Sequence, residues 1–138
     1  RLDMSLELNS NKKIPKIYPG KWIYYKNKST NKDLILSTGS VFKNCEKLLN
    51  KSKNYDWATL PIWGMKYKDQ QTNNLKKYKK VITVESHLQD GGFGSWLSES
   101  LTKNNNNIST KIISKFLDKK VIGQVGSEQY LNFRYGLK

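Results

Sequence analysis

Short apolar runs, each about the length of a strand, recur along this chain between segments with helical spacing. The clearest run is VITV, residues 81–84, which predicts a buried strand. The run DLILS, residues 33–37, is continuously apolar at its centre, which is typical of a strand covered on both faces. The pattern predicts three more strands, over residues 21–26, 56–63 and 109–117, the last of them at an edge of the sheet.

Helices are predicted after two of these strands. A turn at residues 38–40 leads into a helix over residues 41–50, with Ser40 as its N-cap. A glycine-rich turn at residues 90–94 leads into a second helix, which Ser95 opens. Four apolar residues at helical spacing mark the inner face of this second helix: Phe93, Trp96, Leu97 and Leu101.

Two shorter elements complete the pattern. Residues 69–77 predict a short polar helix or turn, and residues 127–135 predict a final helix with Tyr130, Leu131 and Arg134 on one face. Strands that alternate with helices indicate an α/β domain. We therefore predict three layers, α/β/α, around a mostly parallel mixed sheet of about five strands.

The chain divides into a leading segment and one folded domain. Residues 1–20 are polar and are broken by Pro15 and by Pro19-Gly20, so they read as a linker from a preceding domain. Residues 21–138 carry the strands and helices. The 138 residues of the whole chain are enough for one domain with a core of its own.

The charge balance bears on possible partners. The formal net charge is +14, from 25 Lys and Arg against 11 Asp and Glu, a surplus that raises nucleic acid or an anionic membrane as a partner. Almost all of it is lysine, since Arg1 and Arg134 are the two arginines, and groove and phosphate recognition favours arginine. No apolar run approaches the roughly 20 residues of a membrane span. We expect neither a nucleic-acid nor a membrane partner.

Cysteine and histidine are too scarce for several kinds of site. Cys45 is the single cysteine and His87 the single histidine, so an intrachain disulfide and a cysteine metal cluster are excluded. The carboxylates are not spaced to complete a zinc site with His87, and we predict no metal site. This cysteine usage favours a reducing, cytoplasmic location.

Candidate chemistry collects after the strand at residues 81–84. Glu85 and His87 are two apart, so their side chains leave the same side of a strand, where they could serve catalysis or an interface. The turn that follows contains Gly91, Gly92, Gly94 and Ser95. Its position before a helix makes it a possible anion site. Its spacing is not G-x-G-x-x-G, however, and close packing of helix on sheet is the favoured interpretation.

Taken together, these segments resemble the C-terminal domain of transketolase-like enzymes, which depend on thiamine diphosphate. The resemblance lies in residues 34–40 (LILSTGS), 81–87 (VITVESH), 91–95 (GGFGS) and the ending YGL at 135–137. It covers nearly the whole chain. It implies a cytoplasmic enzyme of carbohydrate metabolism that transfers a two-carbon ketol unit between sugar phosphates.

The resemblance also implies where the catalytic groups lie. In the family, thiamine diphosphate and a divalent metal are held by pyrimidine- and pyrophosphate-binding domains, whose motifs do not occur in this sequence. We therefore expect this chain to bind no cofactor, to have no catalytic residue and to be inactive alone. Its partners would be those domains or subunits, in an enzyme that is a homodimer.

Three residues acquire expected roles from the same resemblance. Arg1 aligns with an arginine that contacts substrate phosphate in several family members. Glu85 and His87 match an acid–x–histidine corner that orients the loop or contacts a neighbouring domain. Residues 63–67 (WGMKY) depart from the family's Lys-Pro-Leu-Asp-like segment, which leaves the subfamily open among transketolase, deoxyxylulose-phosphate synthase and dehydrogenase beta subunits.

Two functions of other classes remain as alternatives. One is a stand-alone α/β anion-binding or regulatory domain that uses the glycine turn. The other, less favoured, is a basic nucleic-acid-binding module.

Overall fold

The computed structural model describes residues 15–28, 30, 32–51, 54–102 and 108–137. Within these ranges the chain forms a mixed sheet of five strands in the order β1-β3-β2-β4-β5. Only β1 runs antiparallel, on β3, and the other neighbours are parallel. The strands are β1 (Ile23–Lys26), β2 (Asp33–Ser37), β3 (Tyr55–Thr59), β4 (Lys80–Leu88) and β5 (Lys111–Leu117). The predicted sheet, including β5 at an edge, is confirmed.

Four α-helices connect or follow these strands. They are α1 (Phe42–Lys51), α2 (Gln71–Leu75), α3 (Phe93–Thr102) and α4 (Glu128–Arg134). Single turns of 3₁₀-helix lie at Met65–Tyr67 and Lys119–Val121. The described part of the predicted linker, residues 15–20, contains no helix or strand. Arg1 lies outside the described residues, so its predicted contact stays a prediction.

The helices cover both faces of the sheet, as predicted. β2 alternates its side chains, so Leu34 and Leu36 face one core while Ile35 faces the other. The first core receives the apolar faces of α2 and α3, and the second receives α1 and the end of the chain. The residues predicted for the inner face of α3 all join the first core: Phe93, Trp96, Leu97 and Leu101.

The predicted end of β3 and the predicted start of α3 were wrong. β3 ends at Thr59 and not at Trp63, because its neighbour β2 ends at Ser37, the partner of Thr59, and Pro61 has no N–H for a ladder. α3 begins at Phe93, two residues before Ser95. The reason for this early start is a capping carboxylate from β4, described below.

The final helix is confirmed, and the tertiary contacts set which of its residues are buried. Tyr130 is 54% exposed and Arg134 is exposed, whereas Asn132 is buried. The chain end decides the orientation, because Leu137 packs in the second core and donates its N–H to Asn132 O (2.7 Å). A helix of seven residues is too short for its own periodicity to prevail over such tertiary contacts.

Candidate functional site

The helices after β2 and β4 leave on opposite faces of the sheet, which makes the adjacent carboxyl ends of these strands a topological switch point. Ligands of open α/β sheets bind at such points. A cleft of about 250 Å³ lies there. It brings together both of the turns and the acid–x–histidine corner that the sequence singled out. Its lining residues are Thr38, Gly39, Trp63, Glu85, Ser86, His87, Gly91 and Gly92.

The side chain of Glu85 caps the N-terminus of α3. Its carboxylate is 2% exposed and accepts hydrogen bonds from the N–H groups of Phe93 (2.6 Å) and Gly94 (2.8 Å). Burial raises the pKa of Glu85, against the lowering effect of these two bonds and of His87. A carboxylate at a helix N-terminus satisfies donors that have no partner in the helix and complements its dipole. These two amides are therefore engaged by a side chain and do not face an external anion.

The glycines of this turn pack closely or turn the chain. A Cβ on Gly92 would meet the Leu88 carbonyl and the Glu85 carboxylate, and one on Gly94 would meet Ser114. Gly91 adopts φ +67°, a conformation that other residues rarely take. Gly94 permits close packing of helix on sheet, which was the favoured interpretation of the turn.

The second strand-to-helix turn, at residues 38–40, also contacts a carboxylate of the same chain. Gly39 turns at φ +71°, and the hydroxyl of Ser40 donates to the Glu128 carboxylate at the start of α4. At both turns of this sheet edge, one of the chain's own carboxylates occupies the neighbourhood of a helix N-terminus. The prediction of an anion site on residues 91–95 stays a prediction, and these contacts compete with it.

His87 lies on the open side of the cleft. It is exposed, and its Nδ1 is 3.0 Å from the carbonyl oxygen of Leu88. Glu85 and His87 thus line one cleft, as their spacing predicted, but one side chain is buried and the other faces solvent. The Glu85 carboxylate is bonded to two amides and the His87 ring contacts the Leu88 carbonyl, so no hydrogen bond joins the two side chains. The predicted interface role of His87 stays a prediction.

Sequence reasoning missed the role of Trp63, which it placed in a strand. Its indole N–H donates to the hydroxyl of Thr38 (3.2 Å), which in turn donates to the carbonyl of Leu60 (3.0 Å). Its ring lies 5.5 Å from that of Phe93 and 5.2 Å from that of Trp96, between centroids. Trp63 therefore ties the end of β2 to α3. No local pattern in the sequence marks this contact.

Other candidate groups are structural in the described residues. Cys45 is buried on α1, and burial raises the pKa of its thiol to about 12, so it is not an activated nucleophile. Among the ranges described, no three His, Cys, Asp or Glu side chains gather to hold a metal ion. No helix within those ranges combines the length and apolar character needed to cross a membrane.

Comparison with known proteins gives one kind of match. No protein-family model matches the sequence, and no curated protein sequence matches it. Among solved structures, the chain is similar to one described as a split-gene transketolase in the form of an inactive beta4 tetramer, with a TM-score of 0.65 and 19% identity. The match covers 91% of this chain and 43% of that chain, so this sequence spans less than half of the neighbour. The resemblance drawn from the sequence is thereby confirmed for the fold, which is that of a transketolase-like domain.

Proposed function

We propose that this chain is the C-terminal structural and interface domain of a transketolase-like enzyme. The parent enzyme would transfer a two-carbon ketol unit between sugar phosphates in the cytoplasm, as a homodimer. The observation that carries the proposal is the match in fold over 91% of this chain to a chain named as a split-gene transketolase. The resemblance of the sequence itself, which includes the corner at residues 81–95, supports the same proposal.

We propose that this chain does not itself hold the cofactor of such an enzyme. Thiamine diphosphate needs a divalent metal for its diphosphate, and no group of three metal-ligating side chains is present in the ranges described. The buried carboxylate of Glu85 is held by two backbone N–H groups. Cofactor, metal and catalysis would then belong to pyrimidine- and pyrophosphate-binding domains, carried by the same polypeptide or by a separate one.

The first test is the reading frame around this sequence. Pyrimidine- and pyrophosphate-binding domains encoded upstream in the same frame, or in the adjacent gene, support the proposal. A start codon near Arg1 with no such neighbour overturns it.

The second test is reconstitution with those domains. We expect the isolated chain to show no ketol transfer and no calorimetric signal with thiamine diphosphate and Mg²⁺, and the complete set of domains to show both. His87→Ala should weaken association with the other domains and leave thermal unfolding unchanged, since the side chain is exposed. Glu46→Gln, at an exposed position of α1, is the matched control. Cofactor binding by the isolated chain contradicts the proposal.

A further inference from the structure

Exposed apolar side chains collect on the surface formed by the segment after β5 and by α4. Val125 is 95% exposed and Ile122 is 68% exposed, both in the loop before α4. Two aromatic side chains of α4 are exposed as well, and the helix ends at an exposed arginine. We call this surface the chain-end face, and it consists of Ile122, Val125, Tyr130, Phe133 and Arg134.

Contacts within the chain join the parts of this face. A Cβ on Gly126 would lie 2.7 Å from the ring of Tyr130, so the loop before α4 lies against the first turn of the helix. Phe133 follows Tyr130 by three residues, which places both on the same side of α4. Ile122 lines one cleft with Tyr135, the residue that follows α4. The loop and the outer side of the helix therefore form one surface.

α4 presents aromatic residues to solvent and buries a polar residue. Asn132 is buried, and its side-chain oxygen has no hydrogen-bond partner among the described residues. The contacts of Leu137 hold this orientation, because it donates its N–H to Asn132 O (2.7 Å) and packs in the second core. A surface helix usually turns its apolar residues toward the core. The outward aromatic side of α4 therefore indicates a further surface that covers it.

The composition of the chain-end face is typical of a protein–protein interface. Aromatic residues and arginine are enriched in such interfaces, whereas lysine is depleted. Tyrosine and arginine are also frequent among the residues that dominate binding energy. Arg134 is one of two arginines in a chain whose other basic residues are all lysine. Its place beside Tyr130 and Phe133 thus combines the residue types that interfaces favour.

The apolar area of the face is large enough for a stable dimer. Its four apolar residues together expose on the order of 500 Å². A standard interface buries about 800 Å² on each partner, of which roughly 60% is apolar. One copy of the face therefore offers about the apolar area that each half of such an interface needs.

The charges around the face nearly balance. Segment 115–134 and the adjoining cleft contain four cations and three carboxylates, a net charge of +1 in a chain of net charge +14. Two of these carboxylates already accept hydrogen bonds within the chain, and no contact with a partner is assigned to them. At about 0.15 M salt, charges more than about 8 Å away are largely screened. Two copies can therefore approach here with little of the repulsion that opposes contact elsewhere. The charged residues are Lys115, Lys119, Lys120, Arg134, Asp90, Asp118 and Glu128.

We propose that the chain-end face pairs two copies of this chain about a two-fold axis. An interface of this kind uses the same surface on both copies. Tyr130 and Phe133 of each copy bury their rings against the other, and the planar guanidinium of Arg134 stacks on aromatic rings across the axis. The inference rests on the proposed function for the expectation of a homodimer, and the surface assigns where the copies meet.

The test is the oligomeric state of the complete chain. Sedimentation equilibrium from about 1 to about 300 μM protein, in about 0.15 M salt, should give a monomer–dimer equilibrium with a micromolar dissociation constant. About 0.5 M salt should tighten the dimer, because salt screens the repulsion between two chains of net charge +14 and does not weaken apolar burial. Dilution of a ¹⁵N-labelled sample should shift the amides of residues 122–134. A monomer at every concentration, or a dimer that leaves these amides unshifted, overturns the proposal.

Variants locate the interface on the chain-end face. Val125→Ser and Tyr130→Ser should each raise the dissociation constant at least about tenfold, since a two-fold interface loses each side chain twice. The Val125 variant should unfold at the wild-type temperature, because this side chain is almost fully exposed. Met65→Ser, at an apolar position that is 80% exposed on another surface turn, is the matched control and should not change the dimer. If Met65→Ser weakens the dimer as much as Val125→Ser does, association is nonspecific and the proposed interface is wrong.

The remaining outcomes separate this inference from the proposed function. If the chain stays monomeric and ketol transfer by the complete set of domains is nevertheless observed, the interface is wrong and the proposed function stands. If the amides of residues 122–134 shift only when those other domains are added, a different protein covers the face and the pairing of two copies is wrong. A dimer through this face without ketol transfer in the complete set supports the interface and contradicts the proposed function.

Discussion

At the scale of single residues, Glu85 shows how one side chain can be both a motif and a structural element. Its carboxylate ends the buried stretch of β4 and caps α3 eight residues later. Glu85→Ala would leave the buried N–H groups of Phe93 and Gly94 without acceptors, and we expect a loss of about 2–4 kcal/mol in the free energy of unfolding. Glu85→Gln keeps one acceptor and should cost less, about 1–2 kcal/mol. Urea unfolding measures both, and equal stabilities of wild type and Glu85→Ala would contradict this capping role.

The titration of the same carboxylate leads to a prediction about how stability depends on pH. Burial raises the pKa of Glu85 above its ordinary value of 4.5, so the native state binds this proton more tightly than the unfolded chain does. The stability that Glu85 contributes is then fully present below about pH 4.5 and is lost as pH rises through the native pKa. The difference in unfolding free energy between wild type and Glu85→Gln should fall over that window. A difference that rises with pH would mean that the two N–H bonds outweigh burial.

Gly94 gives a residue-scale prediction about packing. Gly94→Ala would bring a Cβ against the Ser114 side chain and to 2.8 Å from the hydroxyl of Thr83. We expect a loss of about 1–3 kcal/mol, the usual cost of overpacking a filled contact. Gly64→Ala is the control, because no atom lies within 4 Å of its added Cβ. If the urea midpoints of the two variants coincide, α3 can move away from the sheet at no cost in stability.

At the scale of elements, the sequence was most informative for strands that are buried on both faces of the sheet. β2 was predicted with its observed ends, because a strand covered on both faces is apolar throughout. β4 was predicted as residues 81–84 and extends to Leu88, since its last residues are polar and no period marks them as strand. The contacts of Gly94 with Ser114 and of Trp63 with Thr38 join segments 20 or more residues apart. Such pairings depend on the finished sheet and carry no local signal.

The docking of α4 is testable as an element-scale property. Asn44 on α1 donates its side-chain N–H to the carbonyl of Leu137 at 2.6 Å, and this bond ties the chain end to the second core. Asn44→Ala should cost about 1 kcal/mol and should speed amide exchange in residues 128–137, while the central strands stay protected. Lys47→Ala, at an exposed position of the same helix, is the control. Slower or unchanged exchange at the chain end would show that Leu137 packing alone holds α4.

At the scale of the whole molecule, the switch-point cleft shows how the chain itself uses the carboxyl ends of its strands. The switch-point cleft contains the motif residues, yet its carboxylate is consumed in holding α3. Contacts within the chain therefore occupy the carboxylate that a ligand at this cleft would meet.

The net charge of +14 leads to a prediction about DNA binding. It distinguishes nonspecific attraction to phosphates from recognition of a DNA sequence or shape. Lysines distributed over loops should bind any duplex DNA through its phosphates, and counterion release makes such binding steeply dependent on salt. Between about 50 mM and about 200 mM salt we expect affinity to fall roughly a thousandfold, equally for two unrelated duplexes of the same length. Fluorescence anisotropy measures both affinities. Micromolar affinity that survives the higher salt, or a preference between the duplexes, would favour a nucleic-acid-binding module over the proposed enzyme domain, because only base or shape contacts escape this salt dependence.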